Sequence, residues 1–391
     1  MSLLLELNDA ALSLYRDGDP IYQQPAIALV GPQGAAFGAE ALQRARLQPQ
    51  QVNQQYLARL NADPLPRPGK GIANHADLVY RHLREIGALA DEPLAVAAPG
   101  FLTGDQLGVL LGIAEEAGIR IRGFVDSAVL MGSVAELRPN TWLLDLHATR
   151  SCLTELRLGD TDGQAVSQGT VEDIAGFGRN ACLDGWANLV ADRFVQDTRF
   201  DPLHAADCEQ QLYDQLHAWA ERQTLSELAV AVRQGDATRQ VRIGAAALRD
   251  KLMQRLAPVV EKVPASARLL VAPHGAALPG LVEGLEGLGI EARRLPEDVM
   301  ARAMVQRLGA VNGLKWVTAL PAAAMQPAAA NQASAASASA PGDAAASHAL
   351  CGHRAWPLAG NGFGLPEQGR IGEVIERGGR RFELIAVEDA G

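Results

Sequence analysis

The chain has 391 residues and a formal net charge of −10, from 35 Lys and Arg against 45 Asp and Glu. That length allows two or three domains with ample core. The acidic balance excludes an extended electrostatic footprint on nucleic acid or on an anionic membrane.

In chain order, residues 3–7 and 11–15 read as two strands around the turn Asn8-Asp9-Ala10, whose Asn and Asp are turn formers. A short strand is expected near 26–30 and a helix over 37–47. Residues 61–71 hold three prolines and two glycines and are expected to be a loop. Residues 73–89 carry Ala76, Val79, Tyr80, Leu83 and Ile86 at helical spacing. A small apolar strand at 94–98 stops at Pro99-Gly100. Thr103 and Gln106 form a T-x-x-Q capping box for a helix through Ala117, ended by Gly118. A strand at 119–124 and a helix at 126–136 follow.

A hairpin is then predicted, with strands at 142–146 and 152–158. Asp145 lies near the end of the first, and His147–Arg150 form the turn. Residues 165–168 add a third antiparallel strand. Helical patterns cover 176–199 and 209–222. Residues 227–233 and 238–243 alternate at period two around Gln234-Gly235-Asp236, a hairpin signal. Helices are expected at 246–260, 278–288 and 298–308, with strands at 269–272 and 316–320. Residues 321–348 are almost wholly Ala, Ser, Pro, Gln and Asn, the composition of a flexible linker. Beyond it, strands at 371–375 and 382–387 flank Gly378-Gly379, in a piece too small for a robust core of its own.

Cys152, Cys182, Cys208 and Cys351 are widely spaced without a C-x-x-C pair, so they read as buried free thiols rather than a zinc or disulfide framework. The N-terminus lacks the basic region of a signal peptide. No apolar run reaches the ~18 residues needed to cross a bilayer. A cytoplasmic protein is expected, with protein partners, no nucleic acid and no membrane insertion.

Several stretches carry a resemblance. L-L-L-E-L-N-D-A-A-L-S-L-Y is similar to the first phosphate hairpin of the actin-like ATPase superfamily, and T-W-L-L-D-L-H-A-T-R-S-C-L-T-E-L to the second. L-A-V-A-A-P-G-F-L-T-G-D-Q-L resembles the strand–Pro–helix segment, and L-L-V-A-P-H-G-A-A-L-P-G-L the adenosine motif. G-F-G-R-N-A-C-L-D-G-W resembles the start of the second lobe's helix. Within the superfamily, the order of elements looks like the nucleotide-binding domain of the 70-kDa heat-shock chaperones (DnaK type), over about residues 3–318.

The resemblance implies an α/β, actin-like two-lobed ATPase fold with a central cleft. Lobes would span 1–140 and 141–320, followed by the linker 321–348 and a small β segment 349–391. It implies ATP or ADP with Mg as cofactors. Glu6, Asp126 and Asp145 would be the catalytic acids and would hold the metal. Asn8, Asp9, Ala10, His147, Ala148, Thr149 and Arg150 would face the phosphates, and Pro273, His274 and Gly275 the adenosine.

The chain also departs from the family pattern. Both family turns are rich in Gly and Thr, which lets backbone N–H groups approach phosphate. Here Asp9 sets a carboxylate where phosphate oxygens would sit, and His147, Ala148 and Thr149 bring side chains. Pro273 and His274 replace two glycines, and no lysine lies in 50–68. The expected function is therefore a degenerate chaperone-like scaffold or regulator, a pseudo-ATPase. Alternatives are an active Mg-dependent ATPase, and an actin-like assembly protein of a pilus or secretion machine. Ser127, Ser151 and Ser167 lack a G-x-S-x-G context, which argues against a hydrolase triad.

Overall fold

The computed structural model describes residues 2–159, 165–222, 224–322, 348–351, 354–357, 374–377 and 380–385. The chain forms two compact units, Met1–Met325 and Gln326–Gly391. In the first unit, β1 (Leu3–Glu6) is buried at all four positions. β2 (Leu12–Arg16) and β3 (Asp19–Gln24) return beside it as an antiparallel meander. A smaller module follows: β4 (Ala28–Gly31), β5 (Gly34–Phe37), α1 (Gly38–Leu42), β6 (Val52–Asn53), α2 (Tyr56–Arg59), β7 (Pro64–Gly69) and β8 (Ile72–Asn74). Next come α3 (His75–Gly87), β9 (Leu94–Ala98), α4 (Gly104–Glu116), β10 (Ile121–Asp126) and α5 (Ser127–Gly132). The Thr103/Gln106 capping box opens α4, and Gly118 takes the left-handed φ of +80° that ends it.

The pattern then repeats. β11 (Thr141–Leu146), β12 (Arg150–Leu158) and β13 (Ala165–Ala175) form a second antiparallel meander. α6 (Arg179–Thr198), α7 (Ala206–Ala220), the hairpin β14 (Leu228–Gln234) and β15 (Ala237–Ile243), α8 (Ala245–Arg255) and α9 (Ala257–Val260) follow. β16 (Arg268–Val271), α10 (Pro273–Ala276), α11 (Leu281–Gly287), β17 (Glu291–Arg294), α12 (Val299–Arg307), β18 (Trp316–Val317) and β19 (Ala319–Pro321) complete the unit.

One sheet runs β18-β10-β9-β1-β2-β3 and the other β17-β16-β11-β12-β13-β19. In each, the first strand of the meander is flanked by its antiparallel second strand and, on the other side, by a later parallel strand. A further parallel strand follows outward. The chain thus uses one α/β design twice. Only the sixth strands differ: β18 pairs parallel with β10, and β19 pairs antiparallel with β13.

Strand alternation sorts the core. Leu3 and Leu5 pack in the first sheet's own cluster with Leu94 and Val96, while Leu4, Ala95 and Ala97 face the other way. Leu144, Leu146, Leu269 and Val271 pack in the second sheet's cluster, while Leu143 and Leu270 join Leu4. The two sheets therefore share a middle core, filled by Val129, Leu130 and Met131 of α5 and Val299, Met300, Ala303 and Met304 of α12. This stacking sets the two hairpin turns against each other.

Several expectations need correction. The helix expected at 37–47 stops at Leu42. Gln210 of α7 explains the break: its amide nitrogen donates to the Leu42 carbonyl (3.1 Å), and its oxygen accepts from the Arg46 N–H (2.8 Å). Those two backbone groups would otherwise have bonded each other. The loop expected at 61–71 contains β7, paired with β8. Pro64, Pro66 and Pro68 sit two apart, so their missing N–H groups share one edge of the strand. The helix expected at 126–136 ends at Gly132. The helix over 246–260 is split between α8 and α9, because Pro258 lacks the N–H that would bridge the gap. The helix expected at 278–288 begins only after Gly280, whose φ is +80°.

In the second unit β20 (His348–Cys351), β21 (Arg354–Pro357), β22 (Val374–Arg377) and β23 (Arg380–Ile385) form a sheet in the order β21-β20-β23-β22. Two of these strands were not foreseen. Residues 323–347, most of the expected linker, and the Gly378-Gly379 turn lie outside the described residues. Among the described residues, no helix is long and apolar enough to cross a membrane, and Cys152, Cys182 and Cys208 are free and buried.

Candidate functional site

The β1–β2 turn and the β11–β12 turn meet where the two sheets stack. Asn8 shapes the first: its Oδ1 accepts from the Ala10 N–H (2.9 Å), a local turn that a short amide or acid side chain closes well. Its amide nitrogen donates across to Asp145 Oδ1 (3.0 Å) and the Leu146 carbonyl (3.2 Å). Beside it, Asp9 Oδ1 accepts the Ala148 N–H at 2.6 Å. The second turn is bound from its other side as well. Its carbonyls at His147 and Ala148 accept the N–H groups of Arg179 (2.8 Å) and Asn180 (2.9 Å), the first residues of α6. Gly178 makes this contact possible, since a Cβ there would lie 2.6 Å from the Arg150 nitrogen and 2.7 Å from both carbonyl oxygens.

His147 lies between two carboxylates. Its Nδ1 is 3.4 Å from Asp9 Oδ1 and its Nε2 is 3.5 Å from Asp145 Oδ2, and the side chain is 1% exposed. Neither ring nitrogen nor Asp9 Oδ2 has an aligned hydrogen bond, so the attraction is mainly that of charge. Burial alone would lower the imidazole pKa, but Asp145 and Asp9 outweigh it and push it up to about 10. Burial would raise Asp145, yet the charges of His147 and His274 and the Asn8 bond hold it below the usual carboxylate range. Phe101 presents its ring edge-on to His147 at 5.1 Å, and Arg150 lies over the same Phe101 at 4.9 Å. Arg150 itself pairs with Asp173 at 2.8 Å, and Thr149 is half-buried beside it.

The remaining expected residues are each engaged separately. Glu6 accepts from the Tyr15 hydroxyl (3.0 Å) and pairs with His274 Nε2 (3.3 Å). His274 is raised above its ordinary pKa because Glu6, helped by Asp145, overcomes burial. Asp126 caps α5 through the Val129 N–H (2.8 Å) and accepts from the Gln168 amide (2.8 Å). Burial pushes its carboxyl up to about 7 against the opposing hydrogen bonds. Pro273 opens α10, and Gly275 lets that helix sit on β11, since a Cβ there would meet Leu146 Cβ at 3.2 Å. Among the described residues, no group of three or more His, Cys, Asp and Glu is arranged to hold a metal ion.

Sequence reasoning missed Tyr15, Phe101 and Gln168. Tyr15 follows Ser13 on the strand paired with β1, so the hairpin register held the signal for its approach to Glu6. Gln168 is carried by an irregularity in the β12–β13 ladder that alternation does not reveal. Beside the two turns lies a cavity of about 800 Å³. Its lining holds Glu6, Asp9, Glu221, Glu297 and Asp298 against the basic Arg179 and His274. The far side is bridged by Asn180 to Gln54 (2.7 Å) and by Arg46. Arg46 pairs with Asp184 and Glu209 at 3.2 Å each and lies 3.5 Å over the Tyr213 ring.

No family model matches this chain, and no curated protein matches it significantly.

Proposed function

We propose that the chain is an actin-like, two-lobed α/β protein of the 70-kDa heat-shock-chaperone type in which the nucleotide site has become a structural joint. In this reading it acts as a scaffold or regulator for a protein partner. The doubled sheet order with two opposed hairpin turns supports the fold. One observation carries the loss of nucleotide chemistry: the Ala148 N–H, which would face a phosphate oxygen, is already bonded to Asp9 at 2.6 Å. A neutral glycine turn would offer that donor to a ligand. Here the carboxylate holds the anion's place, and His147 sets a positive charge between Asp9 and Asp145, the place of a counter-cation. The residues present do not fit a triphosphate with Mg²⁺.

The test is steady-state phosphate release from Mg·ATP, comparing the natural chain with Asp145→Asn. Release no faster than in the variant is expected. Turnover that Asp145→Asn abolishes would overturn the reading and restore an active ATPase.

A further inference from the structure

Away from the cleft, a second cavity of about 570 Å³ lies where β5, the β7–β8 turn and α3 meet. Its lining carries Lys70, Arg81 and Arg84 against a single acid, Glu85. Such a concentration is unusual in a chain of net charge −10 whose lysines number four. Among the described residues none of the three cations is held in an ion pair; Arg84 only approaches the Tyr80 ring, at 5.8 Å. All three, like Glu85, are exposed side chains at the rim of the cavity.

The surroundings are built rather than loose. Gly71 adopts φ +67°, a conformation that favours glycine, and the Arg81 guanidinium lies beside it. Gly69 is pressed on β4, with a Cβ position 2.7 Å from the Gly31 carbonyl oxygen. The floor is Phe37 and Ile72, both buried. Phe37 stacks on His82 at 4.7 Å, and His82 is fixed by Tyr22 (2.6 Å) and Tyr56 (2.7 Å).

We propose that this cavity is a binding site for a compact small-molecule oxyanion carrying two or more negative charges, a polyphosphate or a polycarboxylate. Its volume suits a small ligand. Guanidinium forks match both phosphate and carboxylate oxygens. An extended polyanion is disfavoured, because Glu40 of α1 and Asp77 and Glu85 of α3 add acids to these elements and the whole chain is acidic. Glu85 opposes the site less than a free carboxylate would, since burial and the charge of Glu40 raise its pKa. The site is independent of the reading of the cleft.

The full chain is titrated calorimetrically with pyrophosphate and, separately, with citrate, at matched ionic strength. Saturable binding of at least one is expected, weakened about tenfold or more by Arg81→Gln with Arg84→Gln. A control pair, Arg249→Gln with Arg293→Gln, makes the same change in net charge at exposed arginines elsewhere and leaves the affinity unchanged. Pyrophosphate alone identifies a phosphate ligand, citrate alone a carboxylate ligand, and both a general oxyanion site. Absence of saturable binding with both probes at millimolar concentration, or an equal loss in the control pair, overturns the proposal.

Discussion

Replacing Asp9 with alanine removes two contacts at once. Asp9 Oδ1 accepts the buried Ala148 N–H at 2.6 Å and lies 3.4 Å from His147 Nδ1. A hydrogen bond to a charged group contributes about 1.5–3 kcal/mol, and stranding its buried donor keeps the cost near the top of that range. Removing one partner of a buried ion pair costs about 3–5 kcal/mol. The two terms overlap in one carboxylate, and His147 keeps Asp145 at 3.5 Å. We therefore expect Asp9→Ala to lower stability by about 3–4 kcal/mol, a large share of a typical domain's ~5–15 kcal/mol. Urea denaturation followed by tryptophan fluorescence measures it. Asp9→Asn keeps an acceptor and loses only the charge, so it should fall between the two. A double-mutant cycle with His147→Ala should give a coupling of more than about 1 kcal/mol. Additivity within ~0.5 kcal/mol, or an Asp9→Ala cost below ~1 kcal/mol, would refute the cross-turn joint.

Gly178→Ala forces a Cβ to within 2.6–2.7 Å of three backbone atoms of the second turn. It should cost about 2–4 kcal/mol and speed amide exchange at Arg179 and Asn180, whose N–H groups bond that turn; unchanged exchange would argue against the contact. His82 supplies a pH dependence. Burial lowers its pKa to about 4, beneath an ordinary value of 6.5, so the unfolded chain binds more protons between those limits. Its contribution is fully present above pH ~6.5 and is lost as pH falls toward about 4. The unfolding midpoint should drop on acidification through that window, and His82→Gln should flatten the slope there.

The sheets were legible because their strands are written in side chains. Leu3-Leu4-Leu5 and Leu94-Ala95-Val96-Ala97-Ala98 are continuous apolar runs, and both occupy interior positions in the first sheet. The end of α1 was not legible, since it depends on Gln210, 168 residues beyond Leu42 in the chain. A local pattern cannot encode a capping group that arrives through tertiary packing. The same limit applies at the site. The charge of Asp9 is plain in the sequence and argues against phosphate there. That its carboxylate bonds the Ala148 N–H depends on two turns 139 residues apart being stacked by the shared core. Gly178 was visible as a glycine before a helix, but the backbone it must accommodate belongs to another segment.

If the first unit is two-lobed as proposed, the placement of these contacts bears on what its cleft can do. A ligand moves a two-state equilibrium only by the difference in its contacts with the two states. In a cleft closed by its ligand, that difference comes from groups the ligand alone brings together. Here the halves are joined at the floor by Asp9 to Ala148 and Asn8 to Asp145 and Leu146. They are joined on the far side by Gln54 to Asn180 and by Arg46 to Asp184, Glu209 and Tyr213. All of these partners belong to the chain itself. In the reading proposed above, closure so held needs no nucleotide, and hydrolysis would have nothing to release. A protein partner would meet one arrangement of the two halves, which lowers the ordering cost of binding. On the proposal made above, that is the property a scaffold needs and a nucleotide-driven chaperone cycle must avoid.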